Sequence, residues 1–206
     1  FFKNSSNFKK KITNKKVFKE DSKDIIAELD YLRSKTPHIY NIETTNYCNM
    51  KCVMCPRTMF MTRKNIWIED ELFEKLTDKV TKHNDKDLDK FWNWLENDYH
   101  YSPKDISENG FYFSVVSRCL VLHGFGEPFL DKKLIQRLET CKKKQIPTYF
   151  SCTPATMTIE KAKKAMDSGL TVLKFSLDAL DERKIQKIRG KKANFEESIN
   201  KILELI

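Results

Sequence analysis

The stretch HIYNIETTNYCNMKCVMCPR, residues 38–57, combines a short alternating segment with a cluster of three cysteines. Residues 38–45 alternate apolar and polar side chains and include β-branched types, a pattern that is typical of a β-strand. Cys48, Cys52 and Cys55 follow in the loop directly after that segment. We therefore expect three thiols on one loop at the carboxyl end of the first strand.

The Cys-x3-Cys-x2-Cys spacing allows the three thiolates to converge on one inorganic centre. A [4Fe–4S] cluster normally takes four protein thiolates, so three would leave one iron open for a substrate or cofactor. An open metal position is the general mark of a catalytic site. A zinc site completed by His38 or His100 is the alternative, although zinc motifs usually have two distant ligand pairs. The spacing favours an iron–sulfur cluster and keeps a zinc site as the alternative.

Strand and helix patterns alternate along the rest of the chain. This alternation implies βα units around a parallel sheet, so the expected fold class is α/β. Four βα units are expected before the sequence ends within a helical pattern, and we expect the chain to be part of a longer protein. The predicted strands are 38–45, 118–123, 148–151 and 171–177, and the predicted helices are 70–82, 131–144, 158–168 and two further segments after residue 177.

Two regions stand apart from this pattern. Residues 1–35 are expected to form a basic tail and an amphipathic helix, and residues 36–206 the core domain. Residues 84–116 are expected to be an insertion, with a short aromatic helix at 91–95 and a turn-rich stretch through Gly110. The tail holds much of the net charge of +9, because residues 1–19 contain seven Lys and no acidic residue.

Composition and cysteine usage narrow the class of protein. No run approaches the ~18 apolar residues of a membrane helix, and no secretory signal is visible. The remaining cysteines are scattered singly, which fits a reducing, cytoplasmic setting better than a disulfide framework. We expect Cys119 and Cys141 to be core residues and Cys152 to be a small buried side chain, with a cavity-facing Cys152 as the alternative. We expect the His123 side chain either to pack in the core or to line the site, and the sequence does not distinguish these alternatives.

The segment Cys48-Asn49-Met50-Lys51-Cys52-Val53-Met54-Cys55 resembles the CxxxCxφC signature of the radical S-adenosylmethionine (radical SAM) superfamily. Three further segments match at later strand or helix ends: Phe125-Gly126-Glu127-Pro128 is similar to the GGE segment, Ser176-Leu177-Asp178-Ala179 follows the fourth strand, and Arg189-Gly190 comes one helix later. The resemblance covers about residues 37–206. It implies a partial (βα)6 barrel similar to a TIM barrel, truncated here after about four units.

The same resemblance implies roles for individual residues. S-adenosylmethionine would chelate the fourth iron of the cluster through its amine and carboxylate, and Gly124, Gly126 and Glu127 would meet the amine. Glycines allow the backbone to approach closely, and a carboxylate suits an ammonium group. The iron ligands would be Cys48, Cys52 and Cys55. The other cofactor contacts would be Met54 near the adenine, Ser151 at the end of the third strand, and Ser176 and Arg189 at the ribose and carboxylate.

The implied activity is reductive cleavage of S-adenosylmethionine to methionine and a 5′-deoxyadenosyl radical, which abstracts hydrogen from a substrate. An electron donor such as a flavodoxin or ferredoxin would be needed. The motifs lean toward members with a C-terminal SPASM domain, which often act on peptides, proteins or carbohydrates. The alternative is a zinc-stabilised module whose Lys-rich tail binds nucleic acid. Nucleic acid is disfavoured because the chain beyond the tail is close to neutral.

Overall fold

The computed structural model describes residues 39–81, 84–104 and 107–206. The predicted tail and amphipathic helix of residues 1–35 lie outside the described residues. Contacts divide the described chain into two compact units. The larger unit comprises residues 39–81 and 118–206, and the smaller unit comprises residues 84–104 and 107–117.

Helices and short strands follow one another along the described chain, and two 3-10 helices, Pro128–Leu130 and Pro154–Thr156, interrupt the loops. The elements in chain order are α1 (Pro56–Phe60), α2 (Asp70–Thr77), α3 (Asp85–Tyr99), α4 (Glu108–Val116), β1 (Leu120–Val121), α5 (Leu134–Lys143), β2 (Thr148–Cys152), α6 (Ile159–Asp167), β3 (Val172–Phe175), α7 (Glu182–Arg189) and α8 (Phe195–Leu205).

The three strands form one parallel sheet in the order β1-β2-β3. A helix follows β1 and another follows β2, and each leads to the next strand, as parallel pairing requires. Apolar residues of the strands and of the covering helices form one core, in which Leu122, Leu138 and Phe150 are fully buried. The predicted α/β class with a parallel sheet is confirmed.

The first strand, predicted at 38–45, is irregular over its described residues, 39–45. This segment lies parallel to β1 and forms two backbone hydrogen bonds of 2.8 Å with Val121: the Ile42 N–H donates to the Val121 carbonyl, and the Val121 N–H donates to the Tyr40 carbonyl. Pairing with β1 is limited to a single bridge, because Thr44 and Thr45 instead pair with residues 66–68. The segment therefore occupies the sheet edge beside β1 without being a regular strand.

Local sequence signals set the ends of α6. The Thr158 hydroxyl accepts a hydrogen bond of 3.3 Å from the Lys161 N–H, which caps the first turn. Gly169 follows the helix with a φ of +110°, a conformation that glycine adopts without strain. This helix was predicted at 158–168 and is confirmed.

The smaller unit is more regular than its sequence suggests. The aromatic helix predicted at 91–95 is the middle of the longer α3, which Asn84 caps by accepting a hydrogen bond from the Asp87 N–H. The predicted turn-rich stretch through Gly110 is wrong at its end, because α4 begins at Glu108. Its capping residue, Ser107, accepts from the Gly110 N–H at 3.1 Å. Within the described residues, no helix is both long and apolar enough to cross a membrane.

Candidate functional site

The cysteine loop connects the edge segment 39–45 to α1. Proline at the first position of α1 favours the helix start immediately after Cys55. The loop is compact, since the Cys55 N–H donates to the Cys52 carbonyl at 3.2 Å and the Met50 N–H contacts the Cys48 Sγ at 3.4 Å. All three cysteines are free thiols. Local sequence thus places the thiols on one short turn, as expected.

Backbone hydrogen bonds join this loop to the end of α7. The Lys51 N–H donates to the Arg189 carbonyl at 3.3 Å, and the Val53 N–H donates to the Ile188 carbonyl at 2.9 Å. A Cβ on Gly190 would lie 3.3 Å from the Lys51 Cβ, so glycine permits this close approach. The Arg189-Gly190 segment and the cysteine loop are therefore neighbours in space, although more than 130 residues separate Cys52 from Arg189.

The Arg189 side chain lies beside one of the thiols. Its Nη1 is 3.8 Å from the Cys52 Sγ, and its Nε donates to the carboxylate of Asp178. Burial opposes the charge of Arg189, but the hydrogen-bonded Asp178 carboxylate raises its pKa on balance. The guanidinium therefore remains charged next to the cysteine loop.

The thiols themselves lie at the edge of an apolar cluster that includes Met50 and Ile185. Burial raises the pKa of both Cys48 and Cys52, and the Arg189 guanidinium opposes this effect at Cys52. In the part of the chain that the structure describes, no group of three Cys, His, Asp or Glu side chains is arranged to hold a metal ion. Convergence of the three thiols on one centre stays a prediction.

The chemistry of the donor set fits an iron–sulfur cluster. The loop supplies three soft thiol ligands, and no carboxylate or imidazole lies between them. Thiolates are the ligands that hold the irons of such clusters.

The turn after β1 packs against the cysteine loop. A Cβ on Gly126 would lie 1.9 Å from the Thr45 carbonyl oxygen, so only glycine fits at this position. The Glu127 N–H donates to the Tyr47 carbonyl at 2.7 Å. The segment that resembles the GGE motif is therefore in direct backbone contact with the residue before Cys48.

The Glu127 side chain is buried, with 4% of its surface exposed. One carboxylate oxygen accepts from the Thr153 N–H at 3.0 Å, and the other is 3.5 Å from the Phe129 N. Burial raises the pKa of this carboxyl to about 7, although both backbone donors lower it. These bonds fix the position of the carboxylate beside the end of β2.

Two serines that are predicted to contact the cofactor lie side by side at the ends of neighbouring strands. The hydroxyl oxygens of Ser151 and Ser176 are 2.8 Å apart, and the Ser176 N–H donates to the Cys152 carbonyl at 2.8 Å. The His123 Nδ1 accepts from the Ser151 N–H at 3.3 Å, so its proton lies on Nε2. Burial lowers the pKa of His123 to about 4, and the charge of Lys174 adds to this effect.

The remaining single residues divide between the surface and the core. Met54 is 53% exposed, so it is not a core residue. Cys152 is fully buried, as its expected role as a small core side chain requires, and burial raises its pKa. Cys119 and Cys141 are also buried, in agreement with the prediction.

Sequence reasoning missed Glu43, which lies in the edge segment beside Gly124. Its Oε1 accepts a 2.6 Å hydrogen bond from the Phe125 N–H, and its Oε2 pairs with Arg63 at 3.0 Å. Glu43 therefore holds the turn after β1 in place from a neighbouring segment. The only signal in the sequence was a carboxylate within an otherwise strand-like pattern, which does not identify its partner.

Comparison with protein families gives one match. The model of the radical SAM superfamily matches residues 42–206, which is most of the chain and includes the cysteine loop. Curated protein sequences show no significant match.

Solved structures show a similar fold. Methylornithine synthase (PylB) has a TM-score of 0.51 at 11% identity over 82% of this chain. BtrN in complex with AdoMet and 2-DOIA has a TM-score of 0.46 at 13% identity over 72% of this chain, and TYW1 with a lysine-pyruvate adduct bound has 0.43 at 20% identity over 77%. The chain spans 42–48% of the length of these structures. The likeness to methylornithine synthase supports the fold alone.

Proposed function

This chain belongs to the radical SAM superfamily of enzymes, and from that premise we propose that Cys48, Cys52 and Cys55 bind a [4Fe–4S] cluster. When bound, such a cluster supplies the electron that cleaves S-adenosylmethionine to methionine and a 5′-deoxyadenosyl radical. The radical would then abstract hydrogen from a substrate. The three thiols leave one iron open for the cofactor, which is the arrangement that this chemistry needs.

One observation carries the proposal. The cysteine loop and its flanks bond through the backbone to two of the three distant segments that resemble the superfamily motifs, at Glu127 through Tyr47 and at Arg189 through Lys51. Segments far apart in the sequence thus surround one loop. Backbone bonds of this kind define positions more firmly than side-chain contacts between exposed groups.

The buried carboxylate of Glu127 is the group we assign to the methionine amine. Its position is held by the Thr153 and Phe129 N–H groups, so its orientation is fixed before the cofactor binds. A carboxylate whose pKa is raised by burial is stabilised in its charged form when an ammonium arrives. Gly124 and Gly126 let the backbone lie close to this position.

Arg189 is assigned to the carboxylate of the methionine moiety. Its guanidinium stays charged and lies beside Cys52, so it can pair with a carboxylate that binds next to the cysteine loop. The hydroxyls of Ser151 and Ser176 are assigned to the ribose, because they form one polar pair at the strand ends. Active sites of parallel barrels lie at this end of the strands. The exposed Met54 is assigned to the adenine.

The proposal also includes an electron donor and a class of substrate. A flavodoxin or ferredoxin would provide the electron. The motif resemblance favours a peptide, protein or carbohydrate substrate and a SPASM-type member.

Anaerobic reconstitution with iron and sulfide tests the proposal. We expect about four irons per chain and formation of 5′-deoxyadenosine when S-adenosylmethionine and dithionite are added. Cys52→Ala should abolish the product, whereas Cys119→Ala, which removes a thiol outside the loop, should retain it. A colourless protein that binds one zinc and no iron would overturn the proposal in favour of a zinc-stabilised module.

A further inference from the structure

Four exposed lysines border the cysteine loop, and we propose that they form the docking surface for an acidic electron-carrier protein. The surface, which we name the basic rim, consists of Lys51, Lys187, Lys191 and Lys192 with the exposed side chain of Val53. This inference rests on the proposed function, because it identifies where the electron enters the same site.

The basic rim is assembled from two parts of the chain. Lys51 lies in the cysteine loop, and the other lysines lie on the last turn of α7 and in the turn that follows it. The backbone bonds of Lys51 and Val53 to the carbonyls of Arg189 and Ile188 hold the two parts together. The Ala193 N–H donates to the Gly190 carbonyl at 3.0 Å, which closes the turn that carries Lys191 and Lys192.

The lysines of the basic rim have no ion-pair partner among the described residues. The carboxylates on and just before α7 have other partners: Asp178 bonds to Arg189, and Asp181 pairs with Lys184 at 3.1 Å. Glu182 accepts from the Phe195 N–H at 2.6 Å. Within the described residues, no carboxylate forms an ion pair with any of the four lysines. The rim therefore presents a positive field to solvent.

An exposed apolar side chain lies directly beside this charge. Val53 is 66% exposed and follows Cys52 in the loop. A small apolar contact surrounded by charge is the composition expected of a weak, transient interface. Complementary charge speeds the encounter of such partners more than it tightens the complex.

The position of the basic rim favours a redox partner. The reduced centre of the carrier would lose one electron and the cluster would gain one, with no proton or covalent bond changed. Such a transfer requires only that the carrier approach the loop that holds the thiols. A nucleic acid would also be attracted by lysines, but four lysines around one exposed apolar side chain provide a small footprint for a phosphate backbone.

Direct binding tests the surface without any cluster. The full chain without iron is titrated into an acidic flavodoxin at about 0.02 M salt, where screening is weak. We expect Lys191→Glu combined with Lys192→Glu to weaken binding about tenfold, and binding by the unmodified chain to weaken as salt increases to about 0.2 M. The matched control is Lys143→Glu with Lys164→Glu. These lysines are exposed and lie near the carboxyl ends of α5 and α6, the ends that precede the starts of β2 and β3.

Turnover by the reconstituted chain supplies the second measurement. With reduced flavodoxin as donor, the Lys191→Glu and Lys192→Glu variant should lose about tenfold in kcat/KM for the donor. With dithionite as donor, its rate of 5′-deoxyadenosine formation should equal that of the unmodified chain. The small reductant needs no docking surface, so this comparison separates docking from catalysis.

The outcomes are distinct. If the unmodified chain forms no 5′-deoxyadenosine even with dithionite, the proposed function fails. If dithionite supports turnover but the variant and the control respond equally to flavodoxin, the docking surface is wrong. Loss of RNA binding by the variant, with flavodoxin binding unchanged, would overturn the redox partner in favour of a nucleic acid.

Discussion

Glu127, in the turn after β1, accepts a 3.0 Å hydrogen bond at its buried carboxylate from the backbone N–H of Thr153 at the end of β2. We expect Glu127→Gln to weaken binding of S-adenosylmethionine at least about tenfold, because the charge that meets the ammonium is lost. Equilibrium binding to the reconstituted protein measures this effect.

Folding should be less sensitive to Glu127→Gln, since the amide oxygen can still accept from Thr153 and a neutral group is easier to bury, and only the long contact with the Phe129 N–H is lost. The thermal midpoint checks this expectation. Glu160→Gln, an exposed carboxyl in the first turn of α6, serves as the control and should change neither quantity appreciably. If Glu127→Gln binds S-adenosylmethionine with unchanged affinity, Glu127 does not contact the cofactor.

Gly126 and Gly124 should respond differently to alanine. At Gly126 the new Cβ would overlap the Thr45 backbone, which has little freedom to move, so we expect a loss of about 3 kcal/mol or more in unfolding free energy. At Gly124 the new Cβ would meet the Glu43 side chain, which can rotate away, so the loss should be about 1 kcal/mol. Denaturant unfolding compares the two, and equal losses would contradict the packing at Thr45.

Protonation of His123 should destabilise the fold in acid. Its pKa is about 4 in the folded chain, below the ordinary value of 6.5, so the unfolded chain binds the proton more readily between these values. Stability should therefore rise with pH from about 4 to 6.5 and level off above, with a total change of up to about 3 kcal/mol. His123→Asn, which can still accept from Ser151, should flatten this part of the profile. A titration of the His123 ring near pH 6.5 by NMR would contradict the burial.

The buried ion pair of Asp131 and Arg137 should be essential to folding. The carboxylate is 0% exposed and the guanidinium 2% exposed, with Nε and Oδ2 separated by 2.8 Å. Asp131→Asn should cost about 3 kcal/mol, because the buried Arg137 guanidinium then keeps only the partly exposed Asp70 carboxylate, 3.5 Å away, as a charged partner. The exposed pair of Lys75 and Glu71 is the matched comparison, and Glu71→Gln should cost less than about 0.5 kcal/mol. Denaturant midpoints of the two variants measure the contrast.

The sequence predicts elements well where local signals mark their ends. Thr158 and Gly169 bracket α6 because a capping hydroxyl and a positive φ act within one turn. The edge segment at 39–45 was less predictable. Its alternating pattern does not specify a partner, and Thr45 pairs with Trp67 rather than with β1. The helix α4 was missed because its sequence carries no regular apolar face.

The residues of the candidate site also differ in how far the sequence predicts them. Cys48, Cys52 and Cys55 were recognisable because their spacing confines them to one loop, whereas Glu43 gave no indication that it would bond to Phe125. The pairing of Ser151 with Ser176 depends on the register of two strands. Such contacts depend on long-range packing, which no short stretch of sequence encodes.

By itself the sequence determined the three-thiol loop, the βα alternation and the family markers at Glu127 and Arg189, because each depends on residue type at short spacing. Only the tertiary structure decided that the Arg189 guanidinium lies beside the Cys52 thiol, that Glu127 is buried against Thr153, and that lysines from two segments border one loop. Those relationships follow from backbone hydrogen bonds and close packing between segments many residues apart. Their geometry exists only once the sheet and its helices have come together.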